Sequence, residues 1–267
     1  MIGFIGVGNM GGALAECACK SVGAWQIAVS SRTREHAEAV AARLGCRASE
    51  NAALAAQARL LFLGVKPQGL PGLAGELAPV LQARKGNAPV VVSMATAVTL
   101  RELDAMLGGG LPLIRIMPNT PAAVGAGTIL YAAQNVTDAQ LNAFRAVLAQ
   151  AGLLLPLPEE KIDAASAISG CGPAFCFQFA DALALGGVRA GLSYPDACRL
   201  AAQTMLGAAE MLLQGGEAPD VLKMRVCSPA GTTIEGVLAL EQGGFSYTVQ
   251  NAVTAAYRRT VEMTKKG

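Results

Sequence analysis

A glycine signature near the start constrains this chain more than any other feature. Met1-Ile2-Gly3-Phe4-Ile5 is a short apolar run, Gly6-Val7-Gly8-Asn9-Met10-Gly11 follows at once, and a helical stretch from Ala13 to Val22 comes next. The pattern is G-x-G-x-x-G between a strand and a helix. There the first glycine allows a tight turn, the second lets a pyrophosphate approach the backbone, and the third lets helix pack on strand. The helix start adds unpaired N–H groups and a partial positive charge. The same glycines would serve a merely tight turn, but the strand-first, helix-after setting favours a dinucleotide site at Gly6, Gly8, Asn9, Met10 and Gly11.

The stretch that follows keeps the same rhythm. Apolar runs at Ile2–Ile5, Gln26–Val29, Leu60–Val65, Pro89–Val92 and Leu113–Met117 predict strands, with helices such as Arg34–Leu44 and Leu100–Leu107 between them. Alternation of this kind predicts a parallel, doubly wound sheet. Gly127–Ala132, a helix near Asp138–Ala151 and Leu153–Leu157 extend it. Pro156-Leu157-Pro158 marks a change of composition, beyond which no strand pattern occurs. Helices are expected over Glu159–Ile168, from the break at Gly170-Cys171-Gly172-Pro173 to Leu185, from a Ser193/Asp196 cap to Gly215, over Thr232–Glu241 and over Ser246–Thr264. The expected domains are 1–157, an α/β dinucleotide-binding domain, and 158–267, an all-helical one.

Composition narrows the function. Only 15% of residues are charged against 52% apolar, well under the ~25% charged of ordinary soluble proteins. The uncharged run Ile116–Thr137 contains Pro118 and Pro121, so no membrane span is expected there or elsewhere. The apolar surplus points instead to helix faces covered by a partner subunit. A net charge of +2 with few aromatics gives no sign of nucleic acid. Seven cysteines without a C-x-x-C pair predict neither a disulfide framework nor a metal site. Reduced thiols and a start without a basic leader fit the cytoplasm.

Three strand ends carry candidate cofactor contacts. An NAD site places an acid about 20 residues past the glycine motif; here the sequence reads Ser30-Ser31-Arg32-Thr33-Arg34. Ser31 and Arg32 suit a 2′-phosphate, which arginine grips as a planar fork, so NADPH is expected, with NADH possible. Ser31 and Thr33 would equally cap the next helix. Val65-Lys66-Pro67 and Asn119 end two further strands, where ligands of open α/β sheets bind; Asn119 has the chemistry to meet a carboxamide, and a plain loop reading stands beside it. In the helical half, Ser228-Pro229-Ala230-Gly231-Thr232-Thr233 is either a simple cap or a carboxylate cradle. The sole histidine, His36, is expected to be a solvated surface residue. Without a histidine near the second domain, the sequence leans toward C=N reduction, whose nitrogen can be protonated before hydride arrives.

These motifs together resemble the Δ1-pyrroline-5-carboxylate reductase family over residues 1 to about 262. The resemblance rests on Gly3–Gly11, Ser31-Arg32, Val65–Gln68, Met117–Pro121 with Gly125 and Gly127, Ser169–Ala174 and Val226–Gly236. It implies a Rossmann-type first domain, a helical second domain that intertwines with another subunit, and a homodimer or larger oligomer. It also implies NAD(P)H as hydride donor and a cyclic imine carboxylate as substrate, in the last step of proline biosynthesis. The substrate carboxylate would meet Ser228 and the N–H groups of Gly231 and Thr232, with Thr233 at the imine nitrogen. Asn51 would lie near the adenosine ribose, and Val65, Lys66, Pro67 and Asn119 on the nicotinamide side. The chain departs from the family pattern at Ala97, Cys171, Phe175, Cys227 and Ala230. Two other functions stay open at this point: a β-hydroxyacid dehydrogenase or related imine reductase, and a non-catalytic nucleotide sensor.

Overall fold

The computed structural model describes residues 1–84 and 86–264. They form two compact units: residues 1–171 with the chain end from Ala256, and Gly172–Ala255.

The first unit is built on one eight-stranded sheet in the order β3-β2-β1-β4-β5-β6-β7-β8. The strands are β1 (Ile2–Ile5), β2 (Ile27–Ser30), β3 (Arg47–Ala48), β4 (Leu60–Leu63), β5 (Val90–Ser93), β6 (Leu113–Met117), β7 (Gly127–Gln134) and β8 (Gly152–Pro156). Strands β1, β2, β4 and β5 are buried at every position. That is the sign of a parallel sheet covered on both faces. One face carries Phe4 stacked on Phe62 at 4.4 Å, under α1 (Asn9–Val22), α2 (Arg34–Leu44) and α6 (Asp138–Val147). The other carries Ile5, Leu61, Leu63 and Val91 under α3 (Asn51–Gln57), α4 (Leu70–Gln82), α5 (Leu100–Met106) and α7 (Glu159–Ser169).

The sheet is not wholly parallel. Strand β7 runs antiparallel to β6, and β8 parallel to β7. Residues 118–126 between β6 and β7 hold only a 3₁₀ turn, Thr120–Val124, and a parallel return needs a crossover of a dozen residues or more. The compact-unit boundary also lies later than the composition change at Pro158. Helix α7 belongs by contact with the sheet: Ile162 is fully buried in its core, and Arg115 of β6 pairs with Glu159 and Asp163.

The second unit contains α8 (Gly172–Arg189), α9 (Tyr194–Gly215), α10 (Pro219–Val226), α11 (Thr232–Gln242) and the first part of α12 (Phe245–Thr264). Ser193 caps α9 by accepting from the Asp196 N–H. Of residues 172–255 only Ala184, Ala197 and Ala201 are buried. Leu185, Leu200, Leu206, Met211, Tyr247 and Val249 are among its apolar side chains left exposed. Helices are stabilised chiefly by burying one face, and exposed apolar surface on this scale marks an interaction site. Against the expectation that no stretch could span a membrane, the 31-residue run Glu159–Arg189 is long and apolar enough to cross one, by length and composition only. The run is interrupted at Gly170-Cys171, between α7 and α8.

Candidate active site

The phosphate loop has the form its glycines require. Gly6 has φ +89°, and a Cβ there would lie 2.8 Å from the Gly64 carbonyl; a Cβ on Gly11 would overlap the Gly6 oxygen. Strand β1, strand β4 and helix α1 thus meet backbone to backbone. Beside Gly8 there is open space. Gly8 is the N-cap of α1 and supplies no side-chain bond to the helix, so the N–H groups at Asn9, Met10 and Gly11 face that opening unsatisfied. This is the environment a pyrophosphate fits. His36, expected to be a solvated surface residue, is exposed, and its Nε2 lies 3.1 Å from the Val7 carbonyl of this loop.

At the end of β2, the Ser30 carbonyl accepts from the Gly6 N–H at 2.9 Å, tying the loop to the neighbouring strand. The buried Ser30 hydroxyl donates to Asn51 Oδ1, and Asn51 Nδ2 donates to Glu76 at 3.1 Å. Asn51 is therefore oriented from both sides. Glu76 lies on α4, far from the stretch where spacing rules search for an acid. Ser31 is half-buried and Arg32 exposed, and Arg32 forms no ion pair among the described residues. Thr33 is the N-cap of α2 but its side chain makes no capping bond, so capping does not account for these hydroxyls. Past β4, Val65 packs against the core, Lys66 is exposed, and Pro67 opens a 3₁₀ turn.

Asn119 departs from expectation. It is buried, and its amide works inside the fold: Nδ2 donates to the Ser169 carbonyl at 2.8 Å and Oδ1 accepts from the Thr128 N–H at 2.8 Å.

In the second unit, Ser228–Gly231 is a closed turn, with the Gly231 N–H donating to the Ser228 carbonyl at 3.0 Å. Proline at the second position and positive φ at the third is the type II pattern, which favours glycine at the third. Here that place holds Ala230, at φ 55°. Gly231 is then the N-cap of α11, again without a side-chain cap. A Cβ on Gly231 would overlap the Ser228 hydroxyl oxygen, so this glycine keeps Ser228 folded over the helix start. The family resemblance implies a Gly231 N–H that meets the substrate. The turn engages it instead, leaving the N–H groups at Thr232, Thr233 and Ile234 as the open donors.

Comparison with known proteins follows the same outline. The family described as pyrroline-5-carboxylate reductase dimerisation matches residues 159–263, and an NADP oxidoreductase, coenzyme F420-dependent family matches residues 1–97. The chain is 38% identical to the pyrroline-5-carboxylate reductase of Methanosarcina acetivorans, covering 99% of this chain and 98% of the relative. It is 37% identical to that of Pseudomonas aeruginosa, covering 99% and 97%. This chain belongs to the pyrroline-5-carboxylate reductase family. Among solved structures, the reductase of Coxiella burnetii matches with TM-score 0.89 at 31% identity, covering 98% of this chain and 97% of that one. The Plasmodium falciparum pyrroline carboxylate reductase with NADP bound matches with TM-score 0.86 at 29% identity, with the same coverage. A Rossmann-like cofactor domain followed by a helical dimerisation domain is thus the architecture of this family member. Its cofactor is a nicotinamide dinucleotide, and its assembly a homo-oligomer.

Proposed function

We infer that this chain reduces Δ1-pyrroline-5-carboxylate to L-proline in the cytoplasm, with NADPH preferred over NADH, as a homodimer or larger oligomer. The observation that carries the reading is the pairing of two uncapped helix starts in one chain: one beside Gly8 for a pyrophosphate, one beside Ser228 for a carboxylate. Residues 1–157 hold the cofactor and 158–267 bear the substrate loop and the subunit interface.

The bound nicotinamide supplies a hydride for the imine carbon. The N–H groups at Asn9, Met10 and Gly11 take the pyrophosphate, and Asn51, fixed by Ser30 and Glu76, addresses the adenosine ribose. Ser31 and Arg32 take a 2′-phosphate, while Val65, Lys66 and Pro67 border the nicotinamide side. Ser228 and the Thr232 and Thr233 N–H groups hold the substrate carboxylate, with Gly231 admitting the Ser228 side chain rather than donating. Thr233 orients the imine nitrogen. Its hydroxyl makes no hydrogen bond among the described residues, and without a basic relay it is a poor acid, so the iminium forms before hydride arrives.

The test follows NADPH oxidation with pyrroline-5-carboxylate, its six-membered homologue, and a panel of 2- and 3-keto acids. Turnover restricted to the imines is expected; preference for a keto or hydroxy acid, or no turnover, refutes the reading. Thr233→Ala should lose one hydrogen bond, about 0.5–1.5 kcal/mol, whereas a proton donor would lose ~10²–10⁴ in turnover. Arg32→Asp should erase the NADPH preference, which one charged hydrogen bond places at roughly tenfold or more. Equal efficiency with both cofactors in the unaltered protein removes that part of the reading.

A further inference from the structure

We infer that Asn119 is a positioning residue that fixes the point where the chain leaves the cofactor domain for the substrate helices, and that it does not serve the nicotinamide. The argument starts at the end of α7. Gly170 and Cys171 both donate to the Ser166 carbonyl, at 2.7 and 3.2 Å, so the helix closes there and the Ser169 carbonyl is left over. In a continuing helix that carbonyl would accept from residue 173. Residue 173 is proline, which has no N–H. Asn119 Nδ2 takes the missing place at 2.8 Å, and the other end of the same amide accepts from Thr128 at the start of β7.

An amide is the side chain for this post. It presents a donor and an acceptor on one rigid plane, and Asn119 itself is buried, at 8% exposure. Helix α7 is thereby held at both ends by residues four apart in the chain. Arg115 grips its first turns through Glu159 and Asp163, at 3.4 and 2.5 Å, and Asn119 grips its last carbonyl. The chain then runs through Gly170-Cys171-Gly172 into α8 and on toward Ser228–Thr233. The Ser228–Thr233 loop follows this exit in the chain, and its use by the substrate rests on the reductase reading above.

Asn119→Asp keeps the acceptor for Thr128 but sets an oxygen against the Ser169 carbonyl, and Asn119→Ala, which buries no charge, removes both bonds. Three readings on the full oligomer test the assignment. Amide exchange across residues 166–174 should quicken in both variants while the α1 region is unchanged. The NADPH Kd, measured by fluorescence, should stay within twofold. The KM for pyrroline-5-carboxylate should rise at least fivefold, with kcat/KM down tenfold or more. A tenfold weaker NADPH Kd with an unchanged imine KM would show that the amide serves the cofactor and overturn the assignment. Unchanged exchange across 166–174 in both variants would overturn it too. If the unaltered protein does not reduce the imine, the reductase reading fails by itself, and the exchange data still decide whether Asn119 holds α7.

Discussion

Ala230 and Gly231 are neighbours for which the geometry predicts opposite responses. Ala230 has φ 55°, a left-handed conformation that costs an L-residue about 1–2 kcal/mol. Glycine removes that cost but gives the unfolded chain more freedom, worth about 0.4–1 kcal/mol the other way. Ala230→Gly should therefore stabilise by about 0.5–1 kcal/mol, or roughly 1–4 °C in Tm for a chain of this size. Its turn keeps the Gly231 N–H to Ser228 bond, so the imine KM should stay within about twofold of the original. Gly231→Ala works the other way. The new Cβ takes the space of the Ser228 hydroxyl, which must swing off the helix start. Loss of one hydrogen bond to a carboxylate is worth about 1.5–3 kcal/mol, or about 10- to 100-fold in KM. Thermal unfolding at fixed protein concentration and steady-state kinetics with pyrroline-5-carboxylate measure both. A lower Tm for Ala230→Gly would refute the strain argument. An unaltered KM for Gly231→Ala would show that Ser228 does not hold the substrate.

Three further outcomes are expected. Arg115→Ala leaves Glu159 and Asp163 without their cation; because both carboxylates keep some water, the loss should be about 2–4 kcal/mol, and Arg115→Met should cost less in the same denaturant titration. The Thr99 N–H, followed by its hydroxyl, holds the Glu102 carboxyl below its ordinary range. Its contribution is therefore present above the unfolded value, about 4.3, and lost as pH falls through the lower folded one, so the Tm gap to Glu102→Gln should narrow on acidification below about pH 5. Burial pushes the Cys17 and Cys46 thiols up, and burial followed by Cys46 takes Cys19 to about 11; mass spectrometry after brief maleimide labelling at neutral pH should find all three unmodified, and labelling at a free-thiol rate would contradict this.

Much of the fold is written in short-range pattern. Strands β1 and β6 fall where their apolar runs are, and α2 begins and ends as its pattern predicts. Helix α4 is harder to see. Leu70, Leu73, Ala74, Leu77 and Leu81 form its buried stripe, but Pro71, Gly72, Gly75 and Pro79 interrupt it with residues that ordinarily mark turns. Strand β3 is two exposed residues, too short for any periodicity. In the site, the phosphate loop is legible because its three glycines act locally. The partners of Asn119, Asn51 and His36 are not, since each bond crosses 9 to 50 residues and depends on which strands become neighbours. Ala97 and Ala230 lie between these cases. Both stand out in the sequence as places where the family pattern has glycine, and positive φ of 61° and 55° supplies the reason.

The three buried alanines of the second unit have a thermodynamic consequence. A helical segment that hides so little of itself draws its folding free energy from association, and folding then follows mass action. For a dimer, each tenfold rise in protein concentration adds about 1.4 kcal/mol to apparent stability. The melting temperature of this protein is in that case a function of its own abundance, and dilution acts on it as a denaturant does. In a cell, expression level then sets how much of the helical half is folded, and subunits of a close relative with a matching apolar face would compete for the same free energy.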